Sequence, residues 1–434
     1  MPASIASIGL ETQTIRKVRF RILPVVFVLY VVAFIDRINI GFAALTMNQE
    51  LAISSRQFGL IAGIFFAGYV IFEIPSNLLL HRIGARIWIA RILISWGIIA
   101  AFTGFAHNVT EFCIARFLLG VAEAGFFPGI VLYLTYWFRQ REQAQAIALF
   151  MTGLPVASIL GAPISGVILD HAHWLGASSW RWLLILEGLP AIGCGILTYF
   201  LLPSRPAEAK FLTPNEREWI ASELEREQQQ KPGKHGLSAA QALMSGRVWH
   251  IALTAFAWDI GLYWMSFWMP QKLKSLSSLY SNTLVGLLVV IPQLAGLIAM
   301  ILVSRSSDRK LERRYHAAIP AVAGGIALLL LATISSPALS IAVMALMAAG
   351  IYGFVAPLFS MPSEFLSGIS AASGIALVNS VANIGAFAGP SAIGVINEKT
   401  GGLSGGMVFA GAALLVSATL AMLLPRARGM TKLA

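Results

Sequence analysis

Apolar runs of about twenty residues or more recur twelve times along this chain. They lie near residues 22–45, 57–80, 87–106, 111–137, 143–168, 181–202, 248–271, 283–304, 316–335, 338–361, 370–396 and 404–425. Each is long enough to cross a hydrocarbon core ~30 Å thick as a helix. Inside lipid the backbone must satisfy its own hydrogen bonds, which leaves helices and closed barrels as spanning structures. The runs are continuously apolar, whereas barrel strands alternate over about ten residues, so a transmembrane β-barrel is excluded. The expectation is an all-α polytopic membrane protein. Only 12% of the 434 residues are charged, against roughly a quarter in soluble domains.

The net charge of +11 invites a nucleic-acid reading, but its distribution argues otherwise. Lys and Arg gather on alternate connections. Arg16, Lys17, Arg19 and Arg21 precede the first span, Arg82, Arg86 and Arg91 follow the second, and Arg139 and Arg141 follow the fourth. Arg305, Arg309, Lys310, Arg313 and Arg314 follow the eighth, and Arg426, Arg428 and Lys432 close the chain. The other side holds far fewer, among them Arg56, Arg181, Lys272, Lys274 and Lys399. This is the positive-inside pattern, which predicts cytoplasmic termini and no nucleic-acid partner. The first run is full-length and carries internal charges, unlike a cleavable signal peptide. The two cysteines, Cys113 and Cys194, both lie within apolar runs, and the histidines form no ligand cluster. No metal and no cofactor is expected.

The hydrophobic pattern breaks once, between Pro203 and Gly246, in a stretch with six glutamates. There Thr213-Pro214-Asn215-Glu216 reads as a capping box with proline in the first helical position. The helix that follows presents Trp219, Ile220 and Leu224 on one side and should lie along the cytoplasmic surface. Ser238-Ala239-Ala240-Gln241 reads as a second cap; a flexible linker with transient helices fits both as well. The expected organisation is a cytoplasmic segment 1–21, a six-helix bundle 22–202, a linker 203–247, a second six-helix bundle 248–425 and a tail 426–434. The halves echo each other: Gly161-Ala162-Pro163-Ile164-Ser165-Gly166-Val167-Ile168 matches Gly389-Pro390-Ser391-Ala392-Ile393-Gly394-Val395-Ile396. Two related bundles around a central cavity are the layout of repeat-built secondary transporters.

Charges within the spans carry the functional signal. Asp36 and Arg37 sit mid-way through the first run, Arg116 and Glu123 within the fourth. Charges at bilayer depth are costly, and they normally face a protein interior or a watery path. Arg116 and Glu123 are two turns apart, on one helix face and about 10 Å from one another. Asp36 and Asn39 share a face while Arg37 points roughly 100° away. A carboxylate beside an arginine that loses its partner takes up a proton, and arginine offers a fork for a substrate carboxylate. Structural ion pairs between the first and fourth helices are the plainer explanation; four charges about one centre favour transport.

Further candidates follow. Gly59, Gly63 and Ala67 form a small-residue seam. Tyr69 is placed to reach a cavity, and Glu73, just before Pro75, to form a gate or an inter-helix salt bridge. The seventh span holds Trp258-Asp259, Tyr263-Trp264 and Phe267-Trp268. Asp259 is a candidate partner for Arg37 or a participant in coupling, and the aromatics are either core and interface anchors or a stacking wall. Asn379, Ser380 and Asn383 offer mid-depth hydrogen bonds, as helix-to-helix contacts or to a substrate. No P-loop, metal-binding or nucleophile motif occurs, so neither ATP-driven pumping nor an enzyme is expected.

Phe34-Ile35-Asp36-Arg37-Ile38-Asn39-Ile40-Gly41, Phe72-Glu73-Ile74-Pro75-Ser76-Asn77 and the stretch from Arg116-Phe117-Leu118-Leu119-Gly120 through Glu123-Ala124-Gly125-Phe126-Phe127-Pro128-Gly129 resemble the anion:cation symporter family of the major facilitator superfamily. The resemblance covers essentially the whole chain and is nearest the bacterial branch that imports tartrate, phthalate, hydroxyphenylacetate and sugar acids. It implies proton-driven uptake of an organic carboxylate by alternating access, by a monomer in the bacterial inner membrane. Asp36 and Glu123 would then be the proton-titrating acids, Arg37 the substrate grip, Arg116 a partner of the acids or an aid to substrate binding, and Tyr69 a cavity wall. The superfamily loop after the second helix usually carries an acid before Arg-x-Gly; here His81 stands there, ahead of Arg82 and Arg86, while the second half keeps Asp308-Arg309. These are the expected gate residues, with His81 as a weaker or pH-sensitive latch. An anion-binding sensor and an uncoupled facilitator or exchanger are the alternatives.

Overall fold

A computed structural model of the chain describes residues 2–230, 239–362, 365–366 and 368–425. Arg426, Arg428, Lys432, the tail and the Ser238 cap lie outside the described residues. The first half comprises α1 (Pro2–Glu50), α2 (Ser55–Ile83), α3 (Ala85–Thr103), α4 (Val109–Glu123), α5 (Phe126–Thr135), α6 (Gln140–Met151), α7 (Gly153–His171) and α8 (Ser179–Leu201). After α9 (Pro214–Gln230) and α10 (Ala239–Leu243) come α11 (Gly246–Ser275), α12 (Asn282–Lys310), α13 (Arg314–Leu331), α14 (Pro337–Ser360), α15 (Gly368–Thr400) and α16 (Ser404–Leu423). Taking α4 with α5 and α6 with α7 as one span each, this is an all-α chain of twelve spans in two sets of six.

Eleven of the spans are long and apolar enough to cross a membrane on their own. The exception is α11, whose 30 residues include Arg247, Asp259, Lys272 and Lys274. Its interior position explains the relaxed composition: Trp258, Tyr263, Trp264, Phe267 and Trp268 are all buried. Trp264 and Trp268 are therefore core residues and not interface anchors. The fourth span also departs from the expected straight helix. It breaks immediately after Glu123, where Gly125 adopts φ 81°, a left-handed conformation that glycine takes without steric cost.

The halves meet along α2 with α15, α7 with α12, and α1 with α11. Small residues allow the first two contacts: a Cβ on Gly59 would strike the Pro390 carbonyl, and one on Gly286 the Ala162 carbonyl. The seam read from Gly59 and Gly63 is thus directed at α15, with Gly63 against Phe387. These seams end in two clasps at the end of the bundle away from the described chain ends. Asp170 at the end of α7 accepts hydrogen bonds from the Asn282 amide N–H (3.1 Å), its Nδ2 (2.8 Å) and the Thr283 N–H (2.7 Å). Glu398 at the end of α15 accepts from the Ser54 hydroxyl (2.5 Å) and the Arg56 N–H (3.1 Å). Both place a carboxylate on the free N–H groups of a helix N-terminus.

At the opposite end, α9 docks on the first half. Its capping box forms as expected, the Thr213 N–H donating to Glu216 Oε2 at 2.8 Å. Ile220 is fully buried, Lys17 Nζ bonds Glu216 at 2.8 Å, and Arg139 stacks over Trp219 at 5.1 Å. Burial works against the Glu216 charge, but Lys17 and the Thr213 N–H outweigh it and hold its carboxyl below the usual range.

Candidate functional site

The site begins with α1, whose helical register sends Asp36 and Arg37 to different surroundings. Arg37 points to the interface of the halves. There it forms an ion pair with Glu123 and lies over Phe65, Phe66 and Tyr69 at 5.2, 5.9 and 5.4 Å from the ring centres. Aromatic faces attract a guanidinium and keep water from it. Asp36 points the other way, to α3: Trp96 Nε1 donates to Oδ2 at 2.7 Å and Asn39 Nδ2 to Oδ1 at 3.3 Å. It is 1% exposed and does not reach the cavity surface.

Arg116, equally buried, departs from its expected role. It forms no ion pair among the described residues, and its Nε and Nη2 lack partners. Phe65 lies beside both arginines, its ring centre 5.2 Å from each guanidinium carbon. Helix α4 is held there because Gly120 packs directly on the Phe65 carbonyl. Arg116 therefore acts on Asp36 and Glu123 through space.

A central cavity of about 60 Å³ lies between the halves, lined on one side by Tyr30, Phe34, Arg37, Tyr69 and Phe127. The other wall includes Trp258, Asp259, Tyr263, Phe359, Asn379 and Asn383. Arg37 is the cation that reaches it. Asp259 faces the same space but is not in an ion pair with Arg37, which is already held by Glu123. Trp258 is fixed by donating to the Ile351 carbonyl (2.9 Å) and by stacking on Phe354 at 5.5 Å. Two of the α11 aromatics, Trp258 and Tyr263, thus form a wall, while the others pack in the core.

Glu73 closes the cavity toward the end that carries α9. It bonds Asn379 Nδ2 at 2.7 Å and the Ser380 hydroxyl at 2.9 Å. The expected salt bridge is replaced by hydrogen bonds across the halves, because α15 offers amides and hydroxyls at this level and no cation. Asn379 and Ser380 accordingly join helices. Asn383 Nδ2 donates to the Asn379 carbonyl at 2.9 Å.

The expected gate loops do not meet across the halves. Arg82 and Arg309 are exposed, and Arg86 lies over Tyr199 at 5.5 Å within its own half. Asp308 pairs with Arg313 at 2.5 Å, and His81 Nδ1 is 3.4 Å from the Tyr136 hydroxyl. Each loop folds back on its neighbouring helix. At this end Glu73 joins the halves through its bonds to Asn379 and Ser380.

Sequence reasoning missed Glu187, a buried acid on α8 that accepts a hydrogen bond from Ser165 at 2.7 Å. The signal was available, since Glu187 is a lone charge inside the sixth apolar run. It also missed Asp170 and Glu398, whose importance depends on the helix N-termini opposite them. Their relation was nonetheless written in the repeat: the offset that aligns Gly161 with Gly389 aligns Asp170 with Glu398 and Ser54 with Asn282. Among the described residues no group of His, Cys, Asp and Glu could hold a metal ion.

Comparison with known proteins agrees with this architecture. Residues 26–390 match the Major Facilitator Superfamily model. A putative tartrate transporter of Agrobacterium vitis is 44% identical over 96% of this chain and 92% of its own length. The putative metabolite transport protein NicT of Pseudomonas putida is 41% identical over 94% of each chain. Among solved structures, an inward-facing bacterial homologue of the human lysosomal transporter Spinster superposes with a TM-score of 0.75 at 18% identity. It covers 94% of this chain and 97% of that one. A D-xylose–proton symporter gives 0.74 at 15% identity, covering 94% and 98%. The twelve-span fold, the central cavity and these matches together show that this chain belongs to the Major Facilitator Superfamily, as a non-enzymatic transport protein similar to an anion:cation symporter.

Proposed function

We propose that the protein is a proton-coupled symporter that imports a small organic carboxylate across the bacterial inner membrane, with cytoplasmic termini and a monomer as the working unit. The observation that carries this reading is the Arg37–Glu123 ion pair at the wall of the central cavity. Arg37 is the cation that an entering carboxylate meets, and its fork suits such a group. Binding a substrate anion there displaces Glu123 from the cation with which it is paired. An unpaired buried carboxylate is costly and takes a proton instead. Substrate and proton thus load together, and the exchange leaves the site without a bare charge. Trp258 and Tyr263 give the opposite wall a preference for a ring or a chain of hydroxyls. The named relatives, a putative tartrate transporter and NicT, fit a carboxylate cargo.

The contacts between the halves support a reading of alternating access. The Asp170 and Glu398 clasps close one end, and Glu73 with Asn379 and Ser380 form the gate at the other. Glu73 bonds α15 across the halves through Asn379 and Ser380, so opening that end for a substrate requires these contacts to part. The test is internal acidification of proteoliposomes holding the purified protein, on addition of hydroxy-, sugar and aromatic acids. Acidification with one class of acid, lost in Asp36→Asn and Glu123→Gln, is expected. Saturable uptake without proton movement would replace symport with facilitated diffusion or exchange, and binding without uptake would indicate a sensor.

A further inference from the structure

We propose that the second half carries a binding site for the phosphate of an acidic phospholipid, in a cavity at the end of the bundle where α11 and α13 begin, with Arg247 and Arg314 as the groups that hold it. The site is separate from the central cavity and stands apart from the symport reading above.

The cavity measures about 310 Å³, within the size of small-molecule sites, roughly 300–1,000 Å³. Its walls come from the starts of α11 and α13, the turn after α12 and the ends of α14 and α16. Arg247 stands in the first turn of α11 and Arg314 in the first turn of α13. A cation is unfavourable there, because the N-terminal end of the helix dipole is itself positive. The Arg247 guanidinium lies 4.0 Å over the Phe365 ring, and Arg314 donates to the Leu424 carbonyl at 3.2 Å. Among the described residues neither arginine forms an ion pair, and the buried Nε of each completes no hydrogen bond. Arg313, also in the wall, is engaged by Asp308 and by the Ser307 hydroxyl. The one acid in the wall, Glu312, is turned to its own helix: it accepts the Tyr315 N–H at 2.7 Å and meets His316 Nδ1 at 2.7 Å. The cavity thus gathers more positive charge than its own walls answer.

The surroundings favour a phospholipid over a soluble anion. Tyr315, in the cavity wall, also heads an exposed stripe along α13, continued by Ile319, Val322, Ile326 and Leu330. These follow one another every three or four residues, so they share one helix face, and on a membrane-spanning helix such a face meets acyl chains. On α16, which packs against α13, Val416 and Leu423 are exposed two turns apart. A lipid lying on these helices brings its phosphate to the level of the cavity, where an arginine fork can take two of its oxygens. Basic pockets between helices at the membrane surface suit acidic headgroups in this way. The repeat supplies a contrast. The offset that aligns Gly161 with Gly389 aligns Arg86 with Arg314, and in the first half the chain itself covers the arginine. Tyr199 lies 5.5 Å from the Arg86 guanidinium and Ser204 Oγ accepts the Arg86 N–H at 3.4 Å. In the second half the sequence after Pro425 brings Arg426, Arg428 and Lys432, which add positive charge and answer none.

The test is native mass spectrometry of the whole protein, stripped of lipid in neutral detergent and offered phosphatidylglycerol and phosphatidylcholine together. The parent should retain one phosphatidylglycerol with a preference of about tenfold or more, from roughly a fivefold gain per arginine. Arg247→Gln combined with Arg314→Gln should bring the two lipids close to equal binding. Each single variant should lower the preference several-fold, and these carry the test if the double variant folds poorly. Arg16→Gln removes an exposed arginine of the first half and should leave the preference unchanged. Equal binding of the two lipids by the parent, an undiminished preference in the cavity variants, or the same loss in Arg16→Gln would overturn the site. Inorganic phosphate at millimolar concentration should not displace the lipid; displacement would make the ligand a soluble phosphate ion and overturn the lipid assignment. No substrate is present, so failure of the symport reading would appear separately, as parent liposomes that move substrate without protons.

Discussion

The two clasps and the two cavity walls were built from the same internal repeat, yet they have diverged to different degrees. At the far end, Asp170 bonds the start of α12 much as Glu398 bonds the start of α2, at equivalent repeat positions. At the centre the halves share almost nothing. The first half buries Asp36, Arg116, Glu123 and Glu187 and turns Arg37 to the cavity, while the facing wall offers Trp258, Tyr263, Asn379 and Asn383 with Asp259 as its acid. Hinging requires two matched contacts about one axis, so the clasps stay alike. The buried charges of the centre gather in the first half, and that asymmetry is what the proposed coupling would use.

The strongest way to break this comparison is at Arg37. Arg37→Ala should lower uptake by at least about 100-fold in proteoliposomes, because it removes the anion fork and leaves Glu123 buried without a partner, a loss of several kcal/mol. Asp259→Asn on the opposite wall should cost far less, and comparable losses would refute the assignment of the chemistry to the first half. Next, Glu123→Gln should abolish uphill accumulation while sparing substrate exchange, measured as counterflow against an imposed pH gradient. Retained accumulation in that variant would move the coupling role to another acid.

A smaller effect is expected at the gate and the clasps. Glu73→Gln should raise cysteine labelling of a cavity-lining position several-fold, since the Asn379 and Ser380 bonds to a charged acceptor, worth about 1.5–3 kcal/mol each, are weakened. Asp170→Asn and Glu398→Gln should each shift labelling toward the other end, and by similar factors. Strongly unequal shifts would show that the two clasps are alike in form only. The smallest effect concerns α9. The folded-state titration of Glu216 lies below its unfolded value, so its contribution is present above the ordinary carboxylate range and is lost as pH falls through the depressed value. Hydrogen exchange over residues 214–230 should accelerate in acid, and Lys17→Met should show much of that change already near neutral pH.

Much of the architecture was legible in the chain because lipid imposes its rules locally. Segment length, apolar content and the break at residues 203–247 each depend on neighbouring residues alone, and so does the Thr213–Glu216 capping box. The charged centre was legible too, since a lone acid or arginine in an apolar run is conspicuous wherever it ends up. Partnership was not. Asp36 and Arg37 are adjacent in sequence, but the 100° step between them on α1 sends one to Trp96 and the other to Glu123. Arg116 forms no ion pair with the acids it was expected to join, and the break at Gly125 lies where the pattern implied a straight helix. Glu73 found hydrogen bonds in place of a salt bridge because of what α15 carries, more than 300 residues away in the chain.

The sequence by itself determined that this chain crosses a membrane about twelve times, in two related halves, with charges where lipid forbids them unless they are sheltered. Those properties follow from the cost of placing each segment in hydrocarbon, which is a sum over local residues. Only the tertiary structure decided which charge meets which, that Arg37 reaches the cavity while Asp36 and Glu187 lie behind it, and that two helix ends are clasped alike. Electrostatic and hydrogen-bond energies depend on distances of a few ångströms between groups far apart in sequence, and those distances exist only once the helices have packed.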